Sequence, residues 1–302
     1  MIQALKRGVR VMKKAHVLYN PKAGNAEIFE KSLLKLKALL SDRETEYREV
    51  TQIKDYKEFF ASISPEDDVY LVGGDGTLNH FVNDVRDVSY ANDVYYFAAG
   101  TGNDFLNDVA KGSDDPVLIN KYISDLPTVE VNGEEYRFIN GVGYGIDGYC
   151  CEVGDALKER SSKPVNYTSI AIKGLLFHYK PTNATVTVDG KEYKYKKVWI
   201  APVMNGRFYG GGMMPTPDQD RLDEEHRVSV CIMHGSGKLR TLTVFPSIFK
   251  GEHVKHEKIV AVHTGHSITV RFDRPTALQI DGETVKGVTE YHAQFGVPAS
   301  VK

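Results

Sequence analysis

The chain has 302 residues, with Lys+Arg 38 against Asp+Glu 40 and a formal net charge of -2. At roughly 150 residues per domain this length predicts two domains. The near-neutral balance excludes a global basic field of the kind that draws in nucleic acid. A hydrophobic fraction of 41% with 26% charged residues excludes a disordered chain.

The first third alternates strand and helix signals. AHVLY (15–19) is a short apolar run stopped by Asn20-Pro21, and IFEKSLLKLKALL (28–40) spaces its apolar residues as an amphipathic helix. TEYREV (45–50) reads as a strand, DYKEFFASI (55–63) as a helix and DVYLV (68–72) as a buried strand closed by Gly73-Gly74. TLNHFVNDV (77–85) is a further helix and DVYYFAA (93–99) a further strand ending at Gly100. Repeated strand, helix, strand predicts a doubly wound α/β domain on a parallel sheet, placed at residues 12–126.

Past about residue 126 the period changes to two. TVEVNGEEYRFINGVG (128–143) alternates around Asn132-Gly133, and 182–203 around Asp189-Gly190, both hairpin signals. RVSVCIM (227–233), HSITVRF (266–272) and TALQIDGE (276–283) are further strands, with helical interruptions near 154–178 and 238–250. The second domain, 127–285, is therefore expected to be a β-sandwich, with the segment 286–302 a candidate to return to the first domain. The stretch 161–180 is expected to pack on the sheet, with bilayer contact through Leu175, Leu176 and Phe177 as the alternative. The Tyr-rich segment 192–199 is a candidate homodimer edge. Three cysteines give no disulfide framework, and neither a secretory leader nor 18 consecutive apolar residues occur, so a reducing, cytoplasmic setting is expected.

Three glycine-rich turns follow three strands: NPKAG (20–24), GGDGTLNH (73–80) and GTGND (100–104). Ligands of open parallel sheets bind at the carboxyl ends of strands. Glycine there lets backbone N–H groups approach a phosphate, and a following helix adds partial positive charge. One such turn is explained by steric need alone; three at one sheet edge predict a nucleotide phosphate site. No G-x-x-x-x-G-K-[ST] occurs, and Gly143-Tyr144-Gly145-Ile146-Asp147-Gly148 fits G-x-G-x-x-G without the strand–helix–strand context that gives the motif meaning.

NPKAG, GGDGTLN and GTGNDF, in this order, resemble the diacylglycerol kinase catalytic domain family, which includes sphingosine and ceramide kinases and bacterial lipid kinases. NGRFYGGGMMPTPDQDRLDE (205–224) resembles that family's glycine-rich segment and metal loop, and QIDGE (279–283) its closing motif, so the likeness runs from about 15 to 285. The resemblance implies an NAD kinase-like α/β domain followed by a β-sandwich. It implies ATP lined by Asn20, Pro21, Lys22, Ala23, Gly24, Thr51, Gly74, Asp75, Gly76, Thr77, Leu78, Asn79, His80 and Thr101. Asp75 would stand beside the phosphates, acting through Mg²⁺ or water. Asp223 would bind Mg²⁺ through its side chain, with Asp220 and Glu225 offering carbonyls. Glu283 would be the base that takes the proton of a lipid hydroxyl, with Asp281 competing if the segment stays extended through Gly282. Alone, Asp281-Gly282 reads as a hairpin turn.

Two residues depart from the family pattern: His80 stands where Glu is common, and Glu224 where the metal loop commonly has Gly. The implied activity is phosphorylation of diacylglycerol or a related lipid by ATP, at a bilayer met peripherally and transiently. GGDGT is also compatible with a soluble kinase acting on NAD. The two departures motivate a third reading, a nucleotide-binding regulator without turnover.

Overall fold

A computed structural model describes residues 13–21, 26–100, 102–160 and 167–296. Five short strands form the first sheet: β1 (Ala15–Tyr19), β2 (Thr45–Glu49), β3 (Asp68–Gly73), β4 (Val94–Ala98) and β5 (Val117–Leu118), in the order β2-β1-β3-β4-β5. The first four are parallel, while β5 pairs antiparallel with β4. The parallel sheet expected from sequence is thus mixed at one edge, a common way to close such a sheet.

Successive side chains of a strand point to opposite faces, and both faces here are apolar. Ala15 and Val17 of β1 join Tyr70, Val72 and Phe97 against Phe29 and Leu36 of α1 (Ala26–Leu39). On the other face Leu18, Val69 and Leu71 meet Tyr56, Phe59 and Phe60 of α2 (Tyr56–Ser62) and Leu78, Phe81 and Val82 of α3 (Asp75–Asp84). Each fully buried aliphatic or aromatic side chain contributes about 1.5–3 kcal/mol. Asp55 starts α2 by accepting the N–H groups of Lys57 and Glu58. Two short helices follow β4: α4 (Asp104–Val109) and α5 (Asn120–Ile123).

The second sheet is antiparallel throughout and comprises β6 (Thr128–Val131), β7 (Glu134–Arg137), β8 (Gly141–Tyr144), β9 (Thr182–Val188), β10 (Lys191–Val198), β11 (Val203–Met204), β12 (Val228–Met233), β13 (Val260–Gly265), β14 (Ser267–Ile280) and β15 (Glu283–Gln294). Both hairpin turns read from sequence are present, with positive φ at Asn132, Gly133, Asp189 and Gly190. The two strands expected at 266–272 and 276–283 are one long strand, β14, irregular between Arg271 and Leu278. Its first half pairs with β9 and its last residues with β8. Residues 286–294 do not return to the first domain. The turn at Asp281-Gly282 folds β15 back on β14, and its far end pairs with β6.

Among the helical pieces that pack beside this sheet are α6 (Ile146–Arg160), α7 (Tyr167–Lys173), a π-helical turn Gly174–His178, and α8 (Lys238–Val244). α6 begins eight residues before the expected interruption. A Cβ on Gly148 would sit 1.8 Å from the Ala277 carbonyl oxygen, so glycine in GYGIDG serves close packing of α6 on β14. Leu175 is fully buried whereas Phe177 is 71% exposed. β10 is bonded to β9, and its tyrosines are used within the chain: Tyr193 stacks on His263 and the Tyr195 hydroxyl lies 2.6 Å from His263 Nε2. Among the described residues no helix is long and apolar enough to cross a membrane.

Candidate active site

The carboxyl ends of β1, β3 and β4 bring the glycine turns together. Asn20 follows β1, and its Nδ2 donates to Thr77 Oγ1 at 3.2 Å, tying the first turn to the second. The turns after β3 and β4 touch through backbone: a Cβ on Gly100 would lie 2.8 Å from Gly74 Cα. Gly74 caps α3, whose first-turn N–H groups have no acceptor inside the helix. A Cβ on Gly76 would meet nothing within 4 Å, so open space adjoins those donors. This is the geometry a phosphate requires. Pro21 is exposed, and Thr51, also exposed, lies just beyond β2 with its hydroxyl 3.5 Å from Glu49. Lys22, Ala23, Gly24 and Thr101 lie outside the described residues.

Asp75 works at two helix ends. It opens α3, and its carboxylate accepts the N–H groups of Asp104 and Phe105, both at 3.0 Å, which caps α4 from another loop. Asn103, the residue before α4, has φ 50 and makes no cap with its own side chain. A carboxylate from elsewhere supplies what the local sequence lacks. Asn140 Nδ2 approaches the same carboxylate at 3.4 Å.

Further along α3 the helical period separates three residues that the resemblance groups at the nucleotide. Leu78 is fully buried in the core beneath the sheet and lines no opening. Asn79 is buried and donates 2.8 Å to Asp281 Oδ2. His80 faces outward, with Nε2 3.5 Å from Glu283 Oε1 and the two side chains 65% and 60% exposed. Two carboxylates, Glu283 first and Asp84 second, raise the imidazole pKa above its ordinary value.

The segment at Asp281 does not stay extended. Asp281 and Gly282 have φ 46 and 100, forming a two-residue hairpin turn in which Ile280 pairs with Glu283. The two acidic side chains therefore part. Asp281 turns inward and accepts the N–H groups of Ile139, Asn140 and Gly141 at 2.5, 2.8 and 2.9 Å, besides Asn79. Burial pushes its pKa up against those four bonds. A half-buried carboxylate bound by four donors fixes the turn. Glu283 stays at the surface beside α3, and the next residue, Thr284, donates to Asp155 of α6 at 2.7 Å.

Sequence reading missed the links between the domains. Asp104 accepts the N–H groups of Gly211 and Gly212 at 2.8 and 2.7 Å, and burial together with nearby Asp75 pushes its pKa up to about 6. Asp108 of α4 accepts Arg207 Nε at 2.7 Å and Arg221 Nη2 at 2.9 Å. Arg221, 4% exposed, also donates to Asn140 Oδ1 at 2.9 Å. Asp104 lies inside GTGNDF and its partners inside the glycine-rich segment, so the residue types were visible, but no spacing rule pairs residues a hundred positions apart.

The acidic loop does not form the expected metal set. Asp223 accepts Arg227 Nε at 2.8 Å and Nη2 at 3.1 Å, which holds its pKa below the usual range. Asp220 bonds the Leu222 N–H through its side chain, and its carbonyl accepts from Gln219 and Asp223. The Glu225 carboxylate pairs with Arg227 at 2.9 Å. As folded, Arg227 supplies positive charge beside Asp223, and the Asp223 carboxylate and Asp220 carbonyl are both engaged within the loop. Among the described residues no group of three or more His, Cys, Asp or Glu is arranged to hold a metal.

Comparison with known proteins follows the division between the sheets. Residues 14–129 match the diacylglycerol kinase catalytic domain, and residues 140–298 match the YegS C-terminal NAD kinase beta sandwich-like domain. The chain is 26% identical over 286 residues to diacylglycerol kinase of Bacillus subtilis (strain 168), covering 90% of each. It is 24% identical over 217 residues to diacylglycerol kinase of Mycobacterium tuberculosis (strain ATCC 25618 / H37Rv), covering 69% of this chain and 67% of that one. A diacylglycerol kinase structure from Bacillus anthracis str. Sterne shares the fold with a TM-score of 0.56 at 17% identity, covering 95% of each chain. A second structure from that organism reaches 0.66 at 17% identity over 97% of this chain and 95% of its own. With one match on each domain and the strand-end glycine loops assembled between them, the chain belongs to the diacylglycerol kinase family, an α/β catalytic domain carrying a YegS-type β-sandwich.

Proposed function

We propose that this protein is a lipid kinase that transfers the γ-phosphoryl group of ATP to the hydroxyl of diacylglycerol or a related lipid. One observation carries the reading. The helix whose first turn closes the glycine loops also holds an exposed carboxylate, Glu283, beside its second turn. His80 is five residues beyond Asp75, about 7.5 Å along a helix axis, so a phosphate at the first turn and an acceptor at Glu283 fall within one short span.

Phosphoryl transfer asks the protein for positioning and charge neutralisation more than for covalent chemistry. In this reading Asn20, Gly74, Gly76 and Thr77 receive the nucleotide phosphates, with Pro21, Lys22, Ala23, Gly24, Thr51 and Thr101 completing the nucleotide's surroundings. Asp75 acts through the loops: it holds α4 against α3 rather than meeting phosphate, which a carboxylate repels. Glu283 takes the hydroxyl proton. A divalent cation neutralises phosphate charge in such reactions; with Asp223 closed on Arg227, no step is assigned to that loop. A bilayer substrate entails transient peripheral contact, and exposed Phe177 supports it.

The test is transfer of labelled phosphate from ATP to diacylglycerol, monoacylglycerol, sphingosine and ceramide in mixed micelles, with NAD as a parallel acceptor. Label on one lipid is the expected result. Label on NAD alone would contradict the reading.

A further inference from the structure

His80 is one of the two departures from the family pattern, and the structure gives it a partner. Asn79 and His80 are neighbours on α3; Asp281 and Glu283 flank Gly282 in the β14–β15 turn. In the inner pair, buried Asn79 donates to half-buried Asp281 at 2.8 Å. This bond fixes the turn against the helix and so sets the outer pair, His80 and Glu283, at 3.5 Å on the surface.

The charged groups facing His80 are Glu283 from β15 and Asp84 one turn further along α3. β7, which also packs on α3, turns its charges elsewhere: Glu135 pairs with Arg86, and Arg137 faces Asp87 and Asp125 as well as Arg86. Both groups facing the imidazole are thus carboxylates, which favour its protonated form.

We propose that Glu283 and His80 accept the proton of the lipid hydroxyl as one unit, with the proton finishing on His80 Nε2. This rests on the lipid-kinase reading above. An unperturbed glutamate titrates near 4.3, roughly two pH units below imidazole, so alone it holds an alcohol's proton weakly. A neutral imidazole beside it gives that proton a more stable place. In the step, a lone pair of the acceptor oxygen forms a bond to the γ-phosphorus. The bond from that phosphorus to the β–γ bridging oxygen breaks, its electron pair leaving on the nucleoside diphosphate. The hydroxyl proton passes to the Glu283 carboxylate and on to His80, and the pair goes from a charge of −1 to neutral. Water removes the proton before the next turnover.

The competent form of the pair has His80 neutral. The acid limb of kcat/KM therefore follows the imidazole, above its ordinary 6.5, instead of a carboxylate. Measuring kcat/KM against pH on the micellar lipid tests this, with H80Q and E283Q beside the parent chain. Both side chains are exposed, so both variants are expected to keep the parent melting temperature. In H80Q the acid limb is expected to move down into the carboxylate range, near 4–5, and kcat at pH 7.5 to fall about tenfold, within the range of one acid–base group. Titration of the histidine ring nitrogens by NMR is expected to show the His80 pKa falling in E283Q. A limb that stays in place in H80Q overturns the proposal while leaving the lipid-kinase reading intact, as does a His80 titration indifferent to E283Q. A parent chain that labels no lipid overturns the lipid-kinase reading, and this role falls with it.

Discussion

Asp281 and Glu283 are two positions apart, yet one φ of 46 at Asp281 sends them to opposite sides of the surface. Asp281 is inside with four donors, so its replacement tests structure before chemistry. Asp281→Asn keeps the shape but turns an NH₂ toward groups that donate. Leaving buried donors unmatched costs about 1–3 kcal/mol each, so this variant is expected to lose about 2–4 kcal/mol in urea denaturation. A catalytic base would instead show lost turnover at unchanged stability. Asp147 is a buried carboxylate, raised to about 7 by burial, with the Tyr209 hydroxyl opposing the shift. Its folded pKa lies above the unfolded value, so the folded chain holds a proton that the unfolded chain has released. Its contribution to stability is full below about pH 4 and is lost as pH rises toward 7 and beyond. Asp104, raised to about 6, acts in the same direction. Thermal unfolding followed from pH 4 to 8 should show this decline, and Asp147→Asn should remove part of its slope, at most about 1.4 kcal/mol per pH unit for one group.

At the scale of elements, the site is a meeting of loops that each need a neighbour. Gly100 passes so close to Gly74 that Gly100→Ala must push the β4 turn off α3. ATP affinity by calorimetry is expected to drop at least tenfold, while the melting temperature shifts by only a few degrees because the clash lies at the sheet's edge. Unchanged affinity would show that the two turns do not act together. The sequence made much of this readable. α3 begins at Asp75, within two residues of its predicted start, because Leu78, Phe81 and Val82 keep helical spacing. β6–β7 and β9–β10 turn where Asn-Gly and Asp-Gly stand. α4 escaped notice: it has six residues, too few for a periodic signal, and its cap is Asp75, twenty-nine positions away. β14 was split in two because Pro275 and the irregular register beside it mimic a strand end. Glu283 was legible as an acidic motif residue, but its pairing with His80 depends on a helix and a hairpin meeting in space.

For the whole molecule, the two sheets are joined by polar contacts concentrated around the candidate site. Asn83 bonds the Arg137 N–H at 2.8 Å, Asp104 holds Gly211 and Gly212, and Asp108 holds two arginines. Within the last of these, the Arg221 and Asp108 side chains are only 4% and 5% exposed. Asp108→Ala would leave the Arg221 guanidinium without its counter-ion inside the protein, at a cost of about 3–5 kcal/mol. Loss of binding and turnover together with stability is the expected outcome, since α4 also carries Asp104. In the acidic loop Arg227, 39% exposed, pairs with Asp223, the residue to which the resemblance assigned a metal. The β14–β15 turn leaves the Glu283 carboxylate exposed beside α3, and the proposed chemistry depends on what it does. The decisive measurement is therefore label transfer from ATP to diacylglycerol in mixed micelles by the parent chain and by Glu283→Gln, with ATP affinity and melting temperature recorded for both. The account predicts transfer that falls about a hundredfold or more in the variant, with nucleotide affinity and stability unchanged. Transfer at the parent rate in the variant, or none to any lipid by the parent chain, would contradict it.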